Sequence, residues 1–393
     1  MPSSSLPLVP VTRRAIDRID QGHVWIYRSD LGEVPASADR GAIVGVVDPR
    51  GRWLGQALYS TESQIALRLL TRREDAIDAG FWRSRLAAAI AMRSHLVIEA
   101  TARRLVNAEA DLLPSLIVDQ YDDVLVVQTL SQGTDRRRDE IVQTLVDLVH
   151  PRGVLLRNDP KVRLLEGLER QVEVAYGDVP ERVVIRAGGI ERDVDLRGGQ
   201  KTGAFLDQQE NHGAAASYAR GRALDAFTYE GGFALRMAST CDSVTAIDAS
   251  EDAITRLNHH AAHNGITNVD AQVGNAFDAL REYDRADERF DTIVLDPPAF
   301  AKQRKAVPKA LTGYKEINLR ALKLLNPGGY LITCTCSAHV DESMFGGVVL
   351  SAALDAGVPV AVVEKRMQGR DHPVLLGVPE TYYLKCFILR RVG

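Results

Sequence analysis

The stretch LDAFTYEGGF, residues 224–233, decides how the C-terminal half of this 393-residue chain folds. An apolar strand pattern ends in an acidic residue, Asp225, and two glycines, Gly231 and Gly232, open a helical pattern. An acidic strand end followed by glycines admits a nucleotide-like ligand close to the backbone. The spacing is not G-x-G-x-x-G, so a dinucleotide fingerprint is unsupported, and a glycine pair by itself discriminates weakly.

The same grammar recurs downstream. VTAIDAS (244–250) reads as a second strand ending in Asp248, about 20 residues on, where a carboxylate can accept hydrogen bonds from both ribose hydroxyls. GNAFD (274–278) follows a third strand and sets Asn275 where an amide could meet an adenine edge. VLDPPAF (294–300) ends a fourth strand in Asp296, and Pro297 and Pro298 remove backbone donors and leave the carboxylate and carbonyls facing a site. A single Asp at a strand-to-helix turn is more simply a helix cap. Four such residues at four successive strand ends are harder to dismiss, because in a parallel sheet covered by helices those ends open on one edge. This constellation resembles the class I S-adenosylmethionine-dependent methyltransferases. The resemblance implies an α/β, Rossmann-like, seven-stranded sheet with an antiparallel last hairpin, here YLITCTC (330–336) and YYLKCFILR (382–390).

Upstream, AIVGVVD (42–48), WLGQALYS (53–60) and SQIALRLLT (63–71) are short runs broken by turn residues, which predicts a small β-rich module. Ahead of them Trp25 and Tyr27 read as core aromatics. Residues 76–100 have helical periodicity, and DVLVVQTL (123–130), a helix over 136–150 and GVLLRND (153–159) then alternate as a small α/β unit. A break near LRGGQKTG (196–203) precedes the last unit. The expected domains are therefore 1–72, 73–185 and 186–393. Apolar content of 45% and charged content of 25% are ordinary for a soluble globular protein. The first residues lack a signal-peptide pattern and no apolar run reaches the roughly 18 residues of a membrane span, so no membrane partner is expected. Four scattered cysteines make no disulfide framework and fit a reducing cytoplasm. A net charge of −4 argues against a dedicated nucleic-acid binder, so any such site must be a local patch.

The pair Cys334 and Cys336 ends an apolar run. With no second Cys/His pair of suitable spacing it is weak for a metal, so none is expected, and a redox role would more naturally use C-x-x-C. A core thiol or a nucleophile remains, and a buried structural cysteine is the commoner case. Both would share one face if the strand ran through them. Cys336 lies later, nearer the carboxyl edge, which favours it as the reactive one. A thiolate added at carbon 6 of cytosine makes carbon 5 enamine-like and able to attack a sulfonium methyl group, and Asp296 could hold a proton on ring nitrogen 3.

GQKTGAFLDQQENH (199–212), LDAFTYEGGF, LDPPAFAKQRK (295–305), TCTCS (333–337) and HPVLLGVPETYYLKCFILR (372–390) resemble more closely the bacterial large-subunit rRNA cytosine-5 methyltransferases of the RlmI type. LVNAEADLLPSLIVDQYDDVLVVQ (105–128) and GHVWIYRSDL (22–31) are similar too, so the likeness spans nearly the whole chain and implies an N-terminal PUA domain. Carried over by position, it implies Cys336 as nucleophile and Asp296 as the acid that orients the base. It implies Thr202, Phe205, Asp225, Tyr229, Gly231, Asp248, Asn275, Ala276 and Asp296 as the residues around S-adenosyl-L-methionine. Ala299 stands where the two-cysteine RNA enzymes carry a second Cys, which implies a single-cysteine enzyme. Three departures stand out: Asn275 where Asp is common, Gln209 where Arg is usual, and Glu230 adding negative charge beside the ligand. In AKQRKAVPK (301–309), Lys302, Arg304, Lys305 and Lys309 are candidates to hold RNA phosphates while a base is flipped, the rival reading being a solvated loop. Other rivals are a guanine-N7 rRNA methyltransferase, which needs no nucleophile, a small-molecule methyltransferase, and a non-catalytic RNA-binding or ribosome-assembly protein. An exposed edge of the β-rich module could pair subunits as a homodimer.

Overall fold

The computed structural model describes residues 6–96 and 98–393. Residues 1–5, within the stretch read for a signal peptide, and Val97, near the end of the helix expected over 76–100, lie outside the described residues. The chain divides into two compact units. The first runs to Ile185 and adds Asp193–Leu206 and Arg370–Thr381; the second holds Arg186–Arg192, Asp207–Gly369 and Tyr382–Gly393. The two added segments of the first unit lie inside the last of the three domains expected from the sequence.

The first unit contains two five-stranded sheets. One has the order Leu8–Pro10, Ile43–Val47, Trp53–Tyr59, Ile65–Thr71, Trp25–Tyr27, around a core of Val9, Ile16, Ile26, Val44, Val46 and Leu67. The other has the order Gln171–Gly177, Gly153–Asn158, Val124–Thr129, Leu116–Tyr121, Ala102–Asn107. Helices Ala79–Ser94 and Arg138–Val149 bury Trp82, Leu86, Ile141 and Leu145 in its core. Only Val124–Thr129 and Gly153–Asn158 pair in parallel there; the strands to either side are antiparallel.

The second unit is built on a seven-stranded sheet of order Val269–Val273, Ser243–Asp248, Arg222–Ala226, Phe290–Leu295, Leu325–Thr335, Lys385–Arg391, Val360–Met367. The first five are parallel neighbours, and Lys385–Arg391 runs antiparallel to both of the strands it lies between. The expected antiparallel pairing of the strands 330–336 and 382–390 is present, with Cys334 opposite Cys386, but they are not a hairpin. A helix, Glu342–Ala356, and the edge strand Val360–Met367 intervene in sequence, and the last strand inserts between Leu325–Thr335 and that edge strand.

Strand alternation sends Leu224, Ile293, Leu295, Leu331 and Phe387 into one apolar layer, under helices Val307–Leu324 and Glu342–Ala356. Ala223, Val294, Ile332, Cys334, Cys386 and Ile388 enter the opposite layer, with residues of helices Gln209–Tyr218, Gly232–Met237 and Glu251–His263. Burial on both faces explains why these strands read as unbroken apolar runs. The register pairs Asp225 with Ala246 and with Val294, and Leu295 with Thr333, so the carboxyl ends of the central strands finish level along one edge.

Candidate active site

The loop after strand Arg222–Ala226 is forced into an uncommon shape. Phe227 (φ 71°), Tyr229 (φ 52°) and Gly231 (φ 82°) all lie in the left-handed region, which costs on the order of 1–2 kcal/mol per non-glycine residue. Contacts with the second strand hold it there: the Thr228 amide donates to the Ile247 carbonyl at 2.9 Å and the Tyr229 amide to the Asp248 carboxylate at 2.9 Å. Side chains are excluded at the turn. A Cβ at Gly231 would stand 2.8 Å from Leu257, and one at Gly232 would stand 2.5 Å from the ring of buried His212. His212 packs edge-on against Phe233 at 4.5 Å, and burial pushes its pKa down to about 3, so it is a neutral support under the turn.

Asp225 is fully buried. One carboxylate oxygen accepts from the Thr228 hydroxyl at 2.6 Å and the Ala234 amide at 2.9 Å, while the other has no partner. Burial pushes its pKa up to about 7; the two hydrogen bonds oppose this, and the charges of Asp296 and Asp248 add to it. Those two contributions bring three of the four strand-end groups into one electrostatic neighbourhood. Asp248, half-buried, accepts from Tyr229 with one oxygen and from the Ser250 amide, at 2.9 Å, with the other. Asn275 is exposed and caps helix Ala276–Arg285, its side-chain oxygen accepting from the Phe277 amide at 2.9 Å. The capping reading thus holds for its oxygen, and the amide NH₂ is the group it can offer a ligand. Ala276 is buried in the apolar core at the first helical position, so only its backbone can serve a ligand.

Thr202 and Phe205 belong to the first unit. The Thr202 hydroxyl donates to Asp119 at 2.6 Å and is 2.8 Å from the Tyr121 hydroxyl, and the Phe205 ring lies 4.8 Å from the Lys201 ammonium. The concern over Glu230 resolves differently from the sequence reading. Its carboxylate pairs with Arg256 at 2.6 Å, which offsets the added negative charge.

The two cysteines of TCTCS occupy different surroundings. The strand ends at Thr335, so the shared-face expectation does not apply: Cys334 is inside it and Cys336 beyond it. Cys334 is fully buried opposite Cys386, and burial, then Cys386, push its thiol well above the ordinary value. Such a thiol is inert. Cys336 is half-buried, and its sulfur faces the Pro297 carbonyl at 3.8 Å, in the loop that follows Asp296. A network of buried hydroxyls fixes this corner, and sequence patterning had not singled it out. Thr335 donates to the Tyr314 hydroxyl at 2.7 Å, Tyr314 and Ser337 hydroxyls are 3.0 Å apart, and the Ala301 amide donates to Ser337 at 3.2 Å. The residues on either side of Cys336 are thereby tied to the Asp296 loop.

Lys302, Arg304, Lys305 and Lys309 are all exposed just beyond that loop. None of the four has an ion pair or side-chain hydrogen bond among the described residues. Four uncompensated cations beside the Asp296 loop are available to phosphates.

A PUA-like domain family matches residues 9–72, and a methyltransferase domain family matches residues 219–367. Ribosomal RNA large subunit methyltransferase I of Tolumonas auensis is 39% identical over 94% of this chain and 96% of its own. The Aeromonas hydrophila protein of the same name is 38% identical over 99% of each. Among solved structures, a SAM-dependent methyltransferase from Streptococcus mutans superposes with a TM-score of 0.83 at 20% identity, over 98% of this chain and all of that one. A second methyltransferase, solved with SAH, gives 0.82 at 21% identity with the same coverage. These structural likenesses speak to the fold, a class I methyltransferase sheet with a PUA-like N-terminal domain. At this identity over almost the full length, the chain belongs to the ribosomal RNA large subunit methyltransferase I family.

Proposed function

We propose that the chain transfers a methyl group from S-adenosyl-L-methionine to carbon 5 of a cytosine in large-subunit rRNA, with Cys336 as a covalent nucleophile. The observation that carries this reading is the inequality of the thiols. Cys241, Cys334 and Cys386 are buried, whereas Cys336 is half-buried just past a strand end and against the Asp296 loop. The substrate class follows from the relatives' names.

The residues fit the cofactor. A fully buried carboxylate with one unpartnered oxygen calls for a donor, and the ammonium of the cofactor's amino-acid end would supply it to Asp225. Asp248 would accept from the ribose, Asn275 would meet the adenine, and the backbone of Tyr229, Gly231 and Ala276 would border them. When bound, the cofactor supplies an electrophilic methyl group on a sulfonium.

The protein's own groups do the rest. The Cys336 thiolate forms a bond to carbon 6, the C5–C6 π pair shifts to C4–C5 and the C4–N3 π pair moves to nitrogen 3, which leaves an enamine whose carbon 5 is nucleophilic. Asp296, beside the base's polar edge, holds a proton at nitrogen 3 as charge builds there. Carbon 5 takes the methyl group as the carbon–sulfur bond breaks and its pair stays on the departing thioether; carbon 5 then gives its proton to solvent, that electron pair re-forms the C5–C6 double bond and expels the thiolate, and nitrogen 3 returns its proton to Asp296. The PUA-like module and the 302–309 cations would hold the RNA.

The test is incubation with 5-fluorocytosine-containing rRNA fragments and cofactor. Fluorine at carbon 5 blocks elimination, so a stable adduct that maps to Cys336 should accumulate, in wild type and in Cys334→Ala alike. Methylation of ordinary RNA with no adduct on the fluorinated one would instead favour a route without a nucleophile, as for guanine N7. A second measurement addresses the basic loop. Replacing Lys302, Arg304, Lys305 and Lys309 with Gln should weaken RNA binding and flatten its salt dependence, by roughly 0.7 in log–log slope for each phosphate that is no longer neutralised, leaving cofactor binding unchanged. An unchanged slope would return the loop to the solvated reading.

A further inference from the structure

Lys385 is a buried lysine in the second unit, 1% exposed, at the start of the last strand. Its ammonium donates to the Tyr382 carbonyl at 3.1 Å and lies 4.8 Å from the centre of the Tyr382 ring. No carboxylate lies within ion-pair distance of it among the described residues. The nearby acid is already engaged: Glu342 takes Lys365 at 2.7 Å on one oxygen and the Tyr382 hydroxyl at 2.9 Å on the other. A lysine is almost never fully buried unless paired, and one carbonyl with one ring face is thin compensation for a desolvated charge.

Its position suggests what the charge is for. In the antiparallel register Lys385 stands directly opposite Thr335, the residue before Cys336, and cross-strand partners share a face. That face is the one where Thr335 meets Tyr314. Groups around this corner include Lys385 from the last strand, Tyr314 from the long helix, Asp296 at the head of the facing loop, and Asp341 and Glu342 at the start of the next helix. Burial lowers the Lys385 pKa, and Asp341, Glu342 and the Cys336 sulfur, in that order, oppose that lowering. The sulfur and the ammonium therefore act on each other. Tyr314 and the carboxylates offer a thiolate no positive charge, and a carboxylate nearby raises the cost of forming one.

We propose that the Lys385 ammonium is the counter-charge that keeps Cys336 as a thiolate, a positioning role that acts through the sulfur. This rests on Cys336 being the nucleophile. Methionine at this position would keep the stem's bulk and remove the charge, while arginine would keep the charge.

The experiment is the pH dependence of Cys336 alkylation by iodoacetamide on the full chain, mapped by mass spectrometry, without RNA. Wild type should reach half its limiting rate well below the value of about 8.5 for a free thiol. Lys385→Met should move that midpoint up, with about a tenfold lower rate at neutral pH for each pH unit of movement and an unchanged limiting rate. Lys385→Arg should restore the lower midpoint. A wild-type midpoint at or above the free-thiol value overturns the proposal without any variant, and so does a folded Lys385→Met with an unmoved profile. The fluorocytosine adduct reports separately on the nucleophile: an adduct with no movement of the alkylation midpoint sinks only the lysine, and a moved midpoint with no adduct sinks only the covalent route.

Discussion

Cys336→Ala should abolish methyl transfer, by at least about a thousandfold in kcat, while the cofactor's dissociation constant stays where it was. On the proposed covalent route the size of the effect follows from the base, since carbon 5 of an unactivated cytosine has no lone pair to offer and no other group described at this corner can add to carbon 6. Little structure should be lost, because the hydrogen bond from this sulfur to the Pro297 carbonyl is a long one, at 3.8 Å. Cys334→Ala is the control with the opposite signature. It removes a fully buried sulfur packed against Cys386 and should lower stability by about 1–2 kcal/mol, yet retain most of the activity. Single-turnover methylation and thermal melts with and without cofactor read the two variants. An active Cys336→Ala would end the covalent mechanism, and an inactive but folded Cys334→Ala would mean that the roles of the two thiols had been exchanged.

The strand ends were legible because each lies where an unbroken apolar run stops at an acid or amide, and parallel pairing then puts all such stops on one edge. The features that escaped share the absence of a linear signature. Val360–Met367 is an edge strand whose apolar run stops after Val360–Val363, with Val362 and Val363 substantially exposed and Glu364, Lys365 and Arg366 in its second half, so the run covers only half of the strand. The glycines of LRGGQKTG lie a few residues ahead of the point where the chain passes from one unit to the other, between Leu206 and Asp207, which leaves Thr202 and Phe205 in the first unit. Tyr314, Thr335 and Ser337 are unremarkable as residue types; they matter because helix Val307–Leu324 crosses the end of the strand and buries three hydroxyls together. Lys385 reads as one of the charges that bracket the apolar run Cys386–Leu389, and only the register sets it opposite Thr335. Glu230 is a related case, a charge whose partner, Arg256, lies 26 residues on in the sequence.

Asp225→Asn should make the ligand-free protein more stable and the cofactor site far weaker. The Asp225 pKa rises from an ordinary 3.8 to about 7 in the folded chain, so folding there favours the protonated acid. Between those values the unfolded chain has released its proton and the folded chain has not, so stability falls as pH rises through the window and stays reduced above it. Removing the charge removes that loss. At pH 8 the Asn variant should be more stable than wild type by up to a few kcal/mol, roughly 1.4 for each pH unit that separates the folded and unfolded values, and the difference should vanish near pH 4. Its amide oxygen can still accept from Thr228 and Ala234, so the turn itself is kept. Cofactor binding responds in the opposite sense. The carboxylate form is the one that pairs with an ammonium, so wild-type affinity should weaken as pH drops below about 7, whereas the variant should bind tenfold to a hundredfold more weakly at pH 8 with a flat profile. Thermal melts across pH and calorimetric titration of S-adenosylmethionine read both arms. A variant that is less stable than wild type at pH 8 and still binds the cofactor normally would show that Asp225 is a structural cap and that the unpartnered oxygen faces no ligand. If both arms come out as expected, this carboxylate is held in an apolar layer at a cost to the fold, and the bound ammonium recovers that cost.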